Sequence, residues 1–235
     1  MKKSILDIIL SARAEKIPLA IITRIKDGMQ CAFLQESIQG DLELSELVIS
    51  TIKKCIKNDK SSLISDDEFF VHIYTPPLRL IIIGAVHIAQ ALAPMARITG
   101  FDVTIVDPRS SFATDSRFPE TTLCDDWPDD ALEKLNPDSR TAIVTLTHDP
   151  KLDDPALVVA LKTPAFYIAS LGGKRTHGKR VERLKNAGFG IEDINRINGP
   201  AGLDIGAVSP SEIAVSILAE LIAILHHRIS FVRTP

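Results

Sequence analysis

Short runs of almost wholly apolar residues, separated by segments with helical periodicity, fill the second part of the chain. These runs cover residues 78–83, 103–106, 142–146 and 166–169. A strand with one face in water alternates apolar and polar side chains, whereas a strand covered on both faces is apolar throughout. Strands of the second kind that alternate with helices form parallel sheets. The pattern therefore predicts an α/β fold with a parallel sheet and helices on both of its faces.

Helical segments follow these runs at about 88–99, 155–162, 174–187 and 210–227. Two of the helices start with a capping signal. Asp154 and Pro155 predict an N-cap followed by proline at the first helical position. Ser209 and Glu212 have the spacing of a capping box, which predicts the start of the last helix.

A small α/β domain is predicted ahead of the parallel sheet. Pro76 and Pro77 cannot continue a helix or a central strand, so they indicate a domain boundary. Residues 1–77 then form the small domain and residues 78–235 the larger one. In the small domain, the pattern predicts helices near 5–10 and 42–56 and strands at 19–25, 30–35 and 69–74. The first two strands are expected to pair as a hairpin.

Composition narrows the class of protein. With 45% hydrophobic residues and a net charge of −3 in 235 residues, the chain is neither disordered nor a typical nucleic-acid binder. No apolar run approaches the ~20 residues that span a bilayer. Asp7 interrupts the apolar start, which predicts an amphipathic helix rather than a signal peptide. The three scattered cysteines form no disulfide framework or zinc motif, so a cytoplasmic location is expected.

The turn after the first apolar run resembles a dinucleotide-binding fingerprint. Gly84 suits the tight turn and Ala89 allows close packing of helix and strand, but Val86 stands where a second glycine would admit a pyrophosphate. Asp107 ends the next run, near the position from which an acidic residue binds the ribose. The turn predicts a Rossmann-like fold, with bound NAD(P) as the less favoured interpretation.

Polar residues directly follow two of the apolar runs. Arg109, beside Asp107, can hold a phosphate with two parallel hydrogen bonds, or the two side chains can form a local ion pair. His148 can act as a general acid or base or as a metal ligand, with Asp149 orienting it. Asp153 is expected at a helix start instead. No spacing makes a metal site specific, and none is predicted.

A pair of glycines, Gly172 and Gly173, ends the fourth run and opens a helix that starts with Lys174 and Arg175. Free N–H groups and positive charge at a helix start favour an anion site. The alternative is a tight turn before a solvated, basic helix face. The further charges Lys179, Arg180, Arg183 and Lys185 are expected to form a solvated helix face rather than a nucleic-acid patch.

A glycine-rich stretch at 199–206 precedes the capping box. Three glycines in eight residues, among them Gly202, predict a loop that a ligand or another chain approaches closely. Asp204 is its polar group. A plain connecting loop is the alternative.

Taken as a set, these motifs resemble those of a known family. Similarity to the Rossmann domain of the XdhC/CoxI family is carried by residues 80–87, 101–109, 117–119, 146–154, 167–175 and 199–214. Members of that family are accessory proteins of xanthine dehydrogenase and related molybdenum hydroxylases. The chain departs from the family pattern at Val86 and in residues 1–77, which lack the S-G-G-C and C-G-G stretches. It is therefore identified as a divergent member with a shortened, degenerate N-terminal domain.

The resemblance implies an accessory protein rather than an enzyme. Such a protein binds molybdenum cofactor, assists its sulfuration and passes it to a hydroxylase apoenzyme. A cysteine desulfurase is a further implied partner, and a homodimer is a common state for such folds. The cofactor-binding residues expected from the motif positions are Gly84, Val86, His87, Asp107, Arg109, His148, Asp149, Gly172, Gly173, Lys174, Arg175, Gly202 and Asp204. The alternatives are an NAD(P)-dependent oxidoreductase with His148 as acid or base, and a nucleotide-sensing interaction module.

Overall fold

The computed structural model describes residues 3–65 and 68–226, and its contacts divide the chain into two units, Met1–Pro76 and Pro77–Pro235. The elements of the N-terminal unit are α1 (Lys3–Ala14), β1 (Leu19–Arg24), β2 (Gln30–Leu34), β3 (Ser37–Gly40), α2 (Glu46–Lys57), β4 (Ser62–Ile64) and β5 (Phe69–Tyr74). Its strands form an antiparallel sheet in the order β3-β2-β1-β5-β4.

Both faces of this first sheet are covered by a helix. Helix α1 packs against one face through Ile5 and Ile9, and α2 packs against the other through Val48 and Ile52. The amphipathic first helix and the β1–β2 hairpin are confirmed, with Thr23 opposite Gln30 in the register. Strand β3 was not predicted because all four of its residues are exposed and show no apolar pattern.

The C-terminal unit contains a six-stranded sheet. Its strands are β6 (Leu78–Ile83), β7 (Phe101–Val106), β8 (Thr122–Cys124), β9 (Thr141–Thr145), β10 (Tyr167–Ser170) and β11 (Ile197–Asn198). They run parallel in the order β11-β10-β9-β6-β7-β8. The four apolar runs are thus confirmed as parallel strands. The two strands that the sequence does not reveal, β8 and β11, are two or three residues long and lie at the sheet edges.

Helices lie on both faces of the parallel sheet. They are α3 (His87–Ile98), α4 (Pro128–Leu135), α5 (Pro150–Ala160), α6 (Lys174–Asn186), α7 (Ile191–Ile194) and α8 (Pro210–Leu225). Helices α3 and α8 share one apolar core with the sheet, whereas α4, α5 and α6 share the core on the opposite face. The α/β class and the Rossmann-like architecture are therefore confirmed. None of the helices in the described residues is long and apolar enough to cross a membrane.

The predicted start of α5 is wrong. The helix begins at Pro150, where Asp149 is the N-cap and its Oδ1 accepts a hydrogen bond of 2.9 Å from the Lys151 N–H. Pro155 lies inside the helix. Two Asp-Pro pairs occur five residues apart, and both satisfy the same capping rule, so the local pattern does not rank them.

The capping box at the start of α8 is confirmed. The Ser209 Oγ accepts a hydrogen bond from the Glu212 N–H, and the Glu212 carboxylate accepts one from the Ser209 N–H. Helix α8 ends at Leu225, and the last residue of the predicted helix, 227, lies outside the described residues.

Candidate functional site at the carboxyl edge of the parallel sheet

The turns that leave β6, β7, β9 and β10 meet at one edge of the sheet, here called the carboxyl edge. Strand β6 lies between β7 and β9, so the chain leaves it toward β7 and later continues on its other side with β9. Open α/β sheets bind ligands at such a reversal of strand order, outside the carboxyl ends of the strands. All but two of the expected site residues, Gly202 and Asp204, lie in these four turns or at the helix starts that follow them.

The turn after β6 is shaped by contacts within the chain. Gly84 has a φ of 109°, and a Cβ at this position would lie 2.6 Å from the Cγ2 atom of Thr147. Position 84 therefore requires a glycine, because the turn after β9 lies so close to it. Val86 is the N-cap of α3 and has no side-chain oxygen to bond the first helical N–H groups, while His87 is exposed.

Asp107 is fully buried, and both of its carboxylate oxygens are engaged. Oδ2 accepts hydrogen bonds from the Ala85 N–H (2.8 Å) and from Nη2 of Arg109 (2.7 Å). Oδ1 accepts from the backbone N–H (3.0 Å) and from Nε (2.8 Å) of Arg109. Burial by itself raises the pKa of Asp107, but these hydrogen bonds and the charge of Arg109 outweigh it and bring the pKa below its ordinary value. Asp107 thus ties the turns after β6 and β7 together.

Arg109 is held in place but remains partly open to solvent, with 40% of its side chain exposed. Its guanidinium carbon lies 4.6 Å from the ring centroid of Phe112, a cation–π distance. The pKa of Arg109 is raised chiefly by the hydrogen bond to Asp107, and the charge of Asp149 contributes to the same direction. The structure therefore contains the Asp107–Arg109 ion pair and brings Arg109 within electrostatic range of the turn after β9.

The turn after β9 presents two exposed polar side chains. His148 has a φ of 61°, in the left-handed region, and its side chain is exposed. Asp149 is exposed as well, and one of its carboxylate oxygens caps α5. No group of three or more His, Cys, Asp or Glu side chains that could hold a metal ion occurs in residues 3–65 and 68–226.

A buried ion pair lies beneath the turns after β9 and β10. Asp153, 2% exposed, accepts a hydrogen bond of 2.7 Å from the Thr147 hydroxyl, and its Oδ2 lies 4.0 Å from Nη2 of Arg180. Nη2 of Arg180 also donates a bond of 2.9 Å to the Leu171 carbonyl. Burial raises the pKa of Asp153 and lowers that of Arg180. The pair therefore links α5, α6 and both turns.

The predicted solvated position of Arg180 is wrong. Arg180 is 2% exposed, because it lies one helical turn before Leu184 on the side of α6 that faces the sheet. Asp153 does lie in the first turn of α5, as expected, but its carboxylate is buried. Its neighbour Asp154 forms an ion pair with Arg183 on the partly exposed side of α6.

The turn after β10 leads directly into α6. Gly172 has a φ of 133°, and Gly173 is the N-cap, with no side-chain hydrogen bond to the helix. Lys174 and Arg175 are exposed in the first turn. Positive charge here is unfavourable beside the positive end of the helix dipole, and a bound anion would reverse that effect.

The glycine-rich loop at 199–206 packs against α8 of the same chain. A Cβ at Gly202 would overlap the Oγ atom of Ser216, and the Gly202 N–H donates a bond of 2.9 Å to Oε2 of Glu220. The same Glu220 oxygen accepts a bond of 2.7 Å from the Tyr167 hydroxyl. Glu220 is buried, whereas Asp204 is exposed. The close approach that Gly202 permits is thus made by the chain's own helix.

The fold and the residues at this edge define a class of protein, a Rossmann-like domain with helices on both faces of a parallel sheet. Asp107 stands at the position from which an acidic residue would bind a ribose, but here it is buried and bonded to Arg109. The family model for the XdhC Rossmann domain matches residues 80–221. The chain belongs to this family, which confirms the resemblance read from the motifs.

Several named relatives match about two thirds of this chain. They include YqeB of Escherichia coli, an uncharacterized protein (31% identical over 159 residues, 66% of this chain and 29% of that protein). The molybdenum cofactor insertion chaperone PaoD of Escherichia coli is 31% identical over 155 residues, 66% of this chain and 42% of PaoD. A probable xanthine dehydrogenase subunit of Bacillus subtilis is 33% identical over 154 residues, 65% of this chain and 44% of that protein.

A solved structure is similar over nearly the whole chain. It is the crystal structure of a xanthine dehydrogenase from Bacillus halodurans, with a TM-score of 0.71 and 25% identity. The similarity covers 99% of this chain and 66% of that one. The matched part of the chain spans less than half the length of each of the three named relatives.

Proposed function

We propose that this protein binds molybdenum cofactor at the carboxyl edge of its parallel sheet and assists the insertion of that cofactor into a xanthine dehydrogenase-type hydroxylase. Family membership supports the proposal, as does the name of PaoD, a molybdenum cofactor insertion chaperone. The single observation that carries it is the fixed Asp107–Arg109 pair at the site where this fold class binds ligands.

The exposed polar groups at this edge match the chemistry of the cargo. Molybdopterin has a flat, polar pterin ring system and one terminal phosphate, so it needs hydrogen-bond partners and positive charge. Arg109, His148 and Asp149 supply both beside β7 and β9, and Lys174 and Arg175 add charge beside β10. We assign these five side chains to direct contact with the cofactor.

The other expected site residues have a different part in the proposal. Asp107 holds Arg109 in place, and the glycines keep the turns close to their neighbours. Val86 and His87 lie at the start of α3. Asp204 belongs to the glycine-rich loop. Near the start of that loop, the Ala201 N–H donates a hydrogen bond of 3.1 Å to the Ser170 carbonyl at the end of β10. These residues line the edge of the proposed site.

The sulfur for cofactor sulfuration is proposed to come from a partner. A sulfur-carrying cysteine needs an accessible thiol that ionises readily. Burial raises the pKa of Cys31 to about 11, and it also raises the pKa of Cys124. These two thiols do not fit that role, and we assign sulfur delivery to a cysteine desulfurase, the partner that the family resemblance implies. The other proposed partners are the hydroxylase apoenzyme and a second copy of this chain. The proposed location of the protein is the cytoplasm.

An NAD(P)-dependent oxidoreductase is the competing function, and no contact at this edge favours it. Both oxygens of Asp107 accept N–H groups from Ala85 and Arg109, so the carboxylate does not offer them to a ribose. We therefore expect that 1 mM NADH or NADPH leaves the thermal unfolding temperature unchanged. A ligand that binds only the folded state raises this temperature by mass action. A concentration-dependent increase would favour the oxidoreductase or the nucleotide-sensing module.

The experiment that tests the proposal compares two arginine variants. The chain is co-produced with an active molybdenum-cofactor pathway and purified without oxygen, and molybdenum and pterin are quantified per chain. Arg109→Ala should retain at most about a tenth of the wild-type pterin, because it removes a charged hydrogen-bonding group. Arg97→Ala, which removes a surface ion pair with Glu120 at the far end of α3, is the matched control and should retain all of it. An equal pterin content in the two variants would contradict a role for Arg109 in cofactor binding.

A further inference from the structure

The buried guanidinium of Arg180 has hydrogen-bonding capacity that the described residues do not use. Within residues 3–65 and 68–226, its Nε and Nη1 atoms have no hydrogen-bond partner, while Nη2 donates to the Leu171 carbonyl. Nε carries one hydrogen and Nη1 carries two. Burying such donors without an acceptor is costly, so their retention calls for an explanation.

The neighbouring carboxylate does not satisfy these donors. The closest approach between Asp153 and Arg180 is 4.0 Å, from Oδ2 to Nη2, which is too long for a hydrogen bond. Its Oδ1 is engaged instead by the hydroxyl and N–H groups of Thr147. Asp153 therefore balances part of the charge of Arg180 without accepting its free N–H groups.

Arg180 lies directly under the turn that starts α6. Nη2 bonds the carbonyl of Leu171, and a Cβ at Gly172 would lie 3.8 Å from the same nitrogen. A Cβ at Gly173 would meet no atom within 4 Å, so the space beside the N-cap is open. The turn thus has a buried cation below it and open space above it.

We propose that this turn is the seat for a phosphate monoester dianion, with the backbone N–H groups of the first turn of α6 and the side chains of Lys174 and Arg175 around it and Arg180 beneath it. A phosphate monoester carries a charge of about −1.5 to −2 near neutral pH and three acceptor oxygens. The positive end of the helix dipole and two exposed cations match that charge, and the buried guanidinium of Arg180, whose charge Asp153 balances in part, lies beneath them.

This assignment separates two tasks within the proposed function, on which it rests. In Arg109, Nε and Nη2 are already bonded to Asp107, so fewer N–H groups remain for a phosphate. The phosphate end of the cofactor is therefore assigned to the start of α6. Arg109, beside Phe112, is left for the pterin end.

The test uses inorganic phosphate as the probe and measures its affinity by isothermal titration calorimetry on the full chain. Arg180→Met should weaken phosphate binding at least tenfold, and Arg180→Lys should restore part of the loss. Arg183→Met removes a cation three residues along the same helix, in a partly exposed ion pair, and should leave the affinity unchanged. Urea denaturation checks that each variant is folded.

A second variant covers the case in which Arg180→Met does not fold. The double change of Lys174 and Arg175 to Gln removes only exposed side chains and should weaken phosphate binding by about threefold to tenfold. Equal affinities for wild type and a folded Arg180→Met, no measurable phosphate binding by wild type, or an equal loss in Arg183→Met would overturn this seat.

Pterin content of the Arg180→Met protein separates the two proposals. Phosphate binding without any bound pterin in wild type would contradict the proposed function alone, and undiminished pterin in Arg180→Met would contradict the phosphate seat alone.

Discussion

Replacing Asp107 with alanine should lower the free energy of unfolding by about 3 kcal/mol. The change leaves the buried Ala85 N–H without its acceptor and leaves Arg109 without the carboxylate that binds two of its side-chain nitrogens. Breaking a buried charged pair costs about 3–5 kcal/mol, and the partial exposure of Arg109 places this case at the lower end. The variant should also lose cofactor binding, because Arg109 is no longer held.

Urea denaturation at pH 7 measures the effect, with Asp102→Ala as the control. Asp102 is exposed on the same strand, β7, so its replacement should change the free energy of unfolding by less than about 0.5 kcal/mol. A loss below 1 kcal/mol for Asp107→Ala would show that the buried contacts of Asp107 contribute little.

The pH dependence of the Asp107 contribution follows from the sign of its pKa shift. The folded-state pKa of Asp107 lies below its ordinary value of 3.8. The carboxylate therefore contributes its full stability above about pH 4, and that contribution is lost as the pH falls through the folded-state pKa. The difference in unfolding free energy between wild type and Asp107→Ala should accordingly shrink only at acidic pH.

Replacing Gly202 with alanine should destabilise the fold by about 3 kcal/mol. Gly202 has a φ of 93°, which costs an L-residue roughly 1–2 kcal/mol. The new Cβ would also overlap the Ser216 Oγ and lie 3.1 Å from the Ile217 nitrogen, so α8 and the loop must move apart. That movement disturbs the hydrogen bond from the Gly202 N–H to the buried Glu220.

Gly206→Ala is the matched control for the Gly202 prediction. Gly206 lies in the same loop with a φ of 75°, but a Cβ there would meet no atom within 4 Å. Its replacement should therefore cost only the backbone term, about 1 kcal/mol. Equal losses for the two variants, measured by thermal and urea unfolding, would mean that the packing of the loop on α8 contributes nothing beyond backbone strain.

The central strands and their parallel arrangement could be predicted because those strands are buried on both faces. An apolar run such as 142–146 has few other places in a folded chain, and its alternation with helices selects a parallel sheet. The edge strands β8 and β11 have too few residues to show any period. The start of α5 was missed because Asp149-Pro150 and Asp154-Pro155 carry the same local signal.

The buried charges of the site could not be predicted, because their partners are distant in sequence. Arg180 reads as one of several basic residues on a polar helix, and its contacts with Asp153 and the Leu171 carbonyl appear only in the folded structure. Glu220 is a charged residue in a largely apolar helix, and that was the only sign in the sequence that it has a special environment. Its hydrogen-bond partner, Tyr167, lies 53 residues earlier. Capping and periodicity describe neighbours within a few positions and do not identify such pairs.

The sequence also did not show which group approaches the glycine-rich loop. Three glycines indicate close approach, but they do not say what approaches. The structure gives α8 as the neighbour of Gly202, and it places His177 against Gly199, where a Cβ would lie within 3 Å of the imidazole ring. Only Asp204 of this loop remains exposed among the expected site residues.

The most direct test of cofactor binding is the pterin content of the wild-type protein after anaerobic purification from cells with an active molybdenum-cofactor pathway. Release and oxidation of the pterin to a fluorescent form, together with metal analysis, give molybdenum and pterin per chain. We expect close to one pterin and one molybdenum per chain. A folded protein that repeatedly contains less than about a twentieth of a pterin per chain would contradict the assignment of the carboxyl edge as a molybdenum-cofactor site.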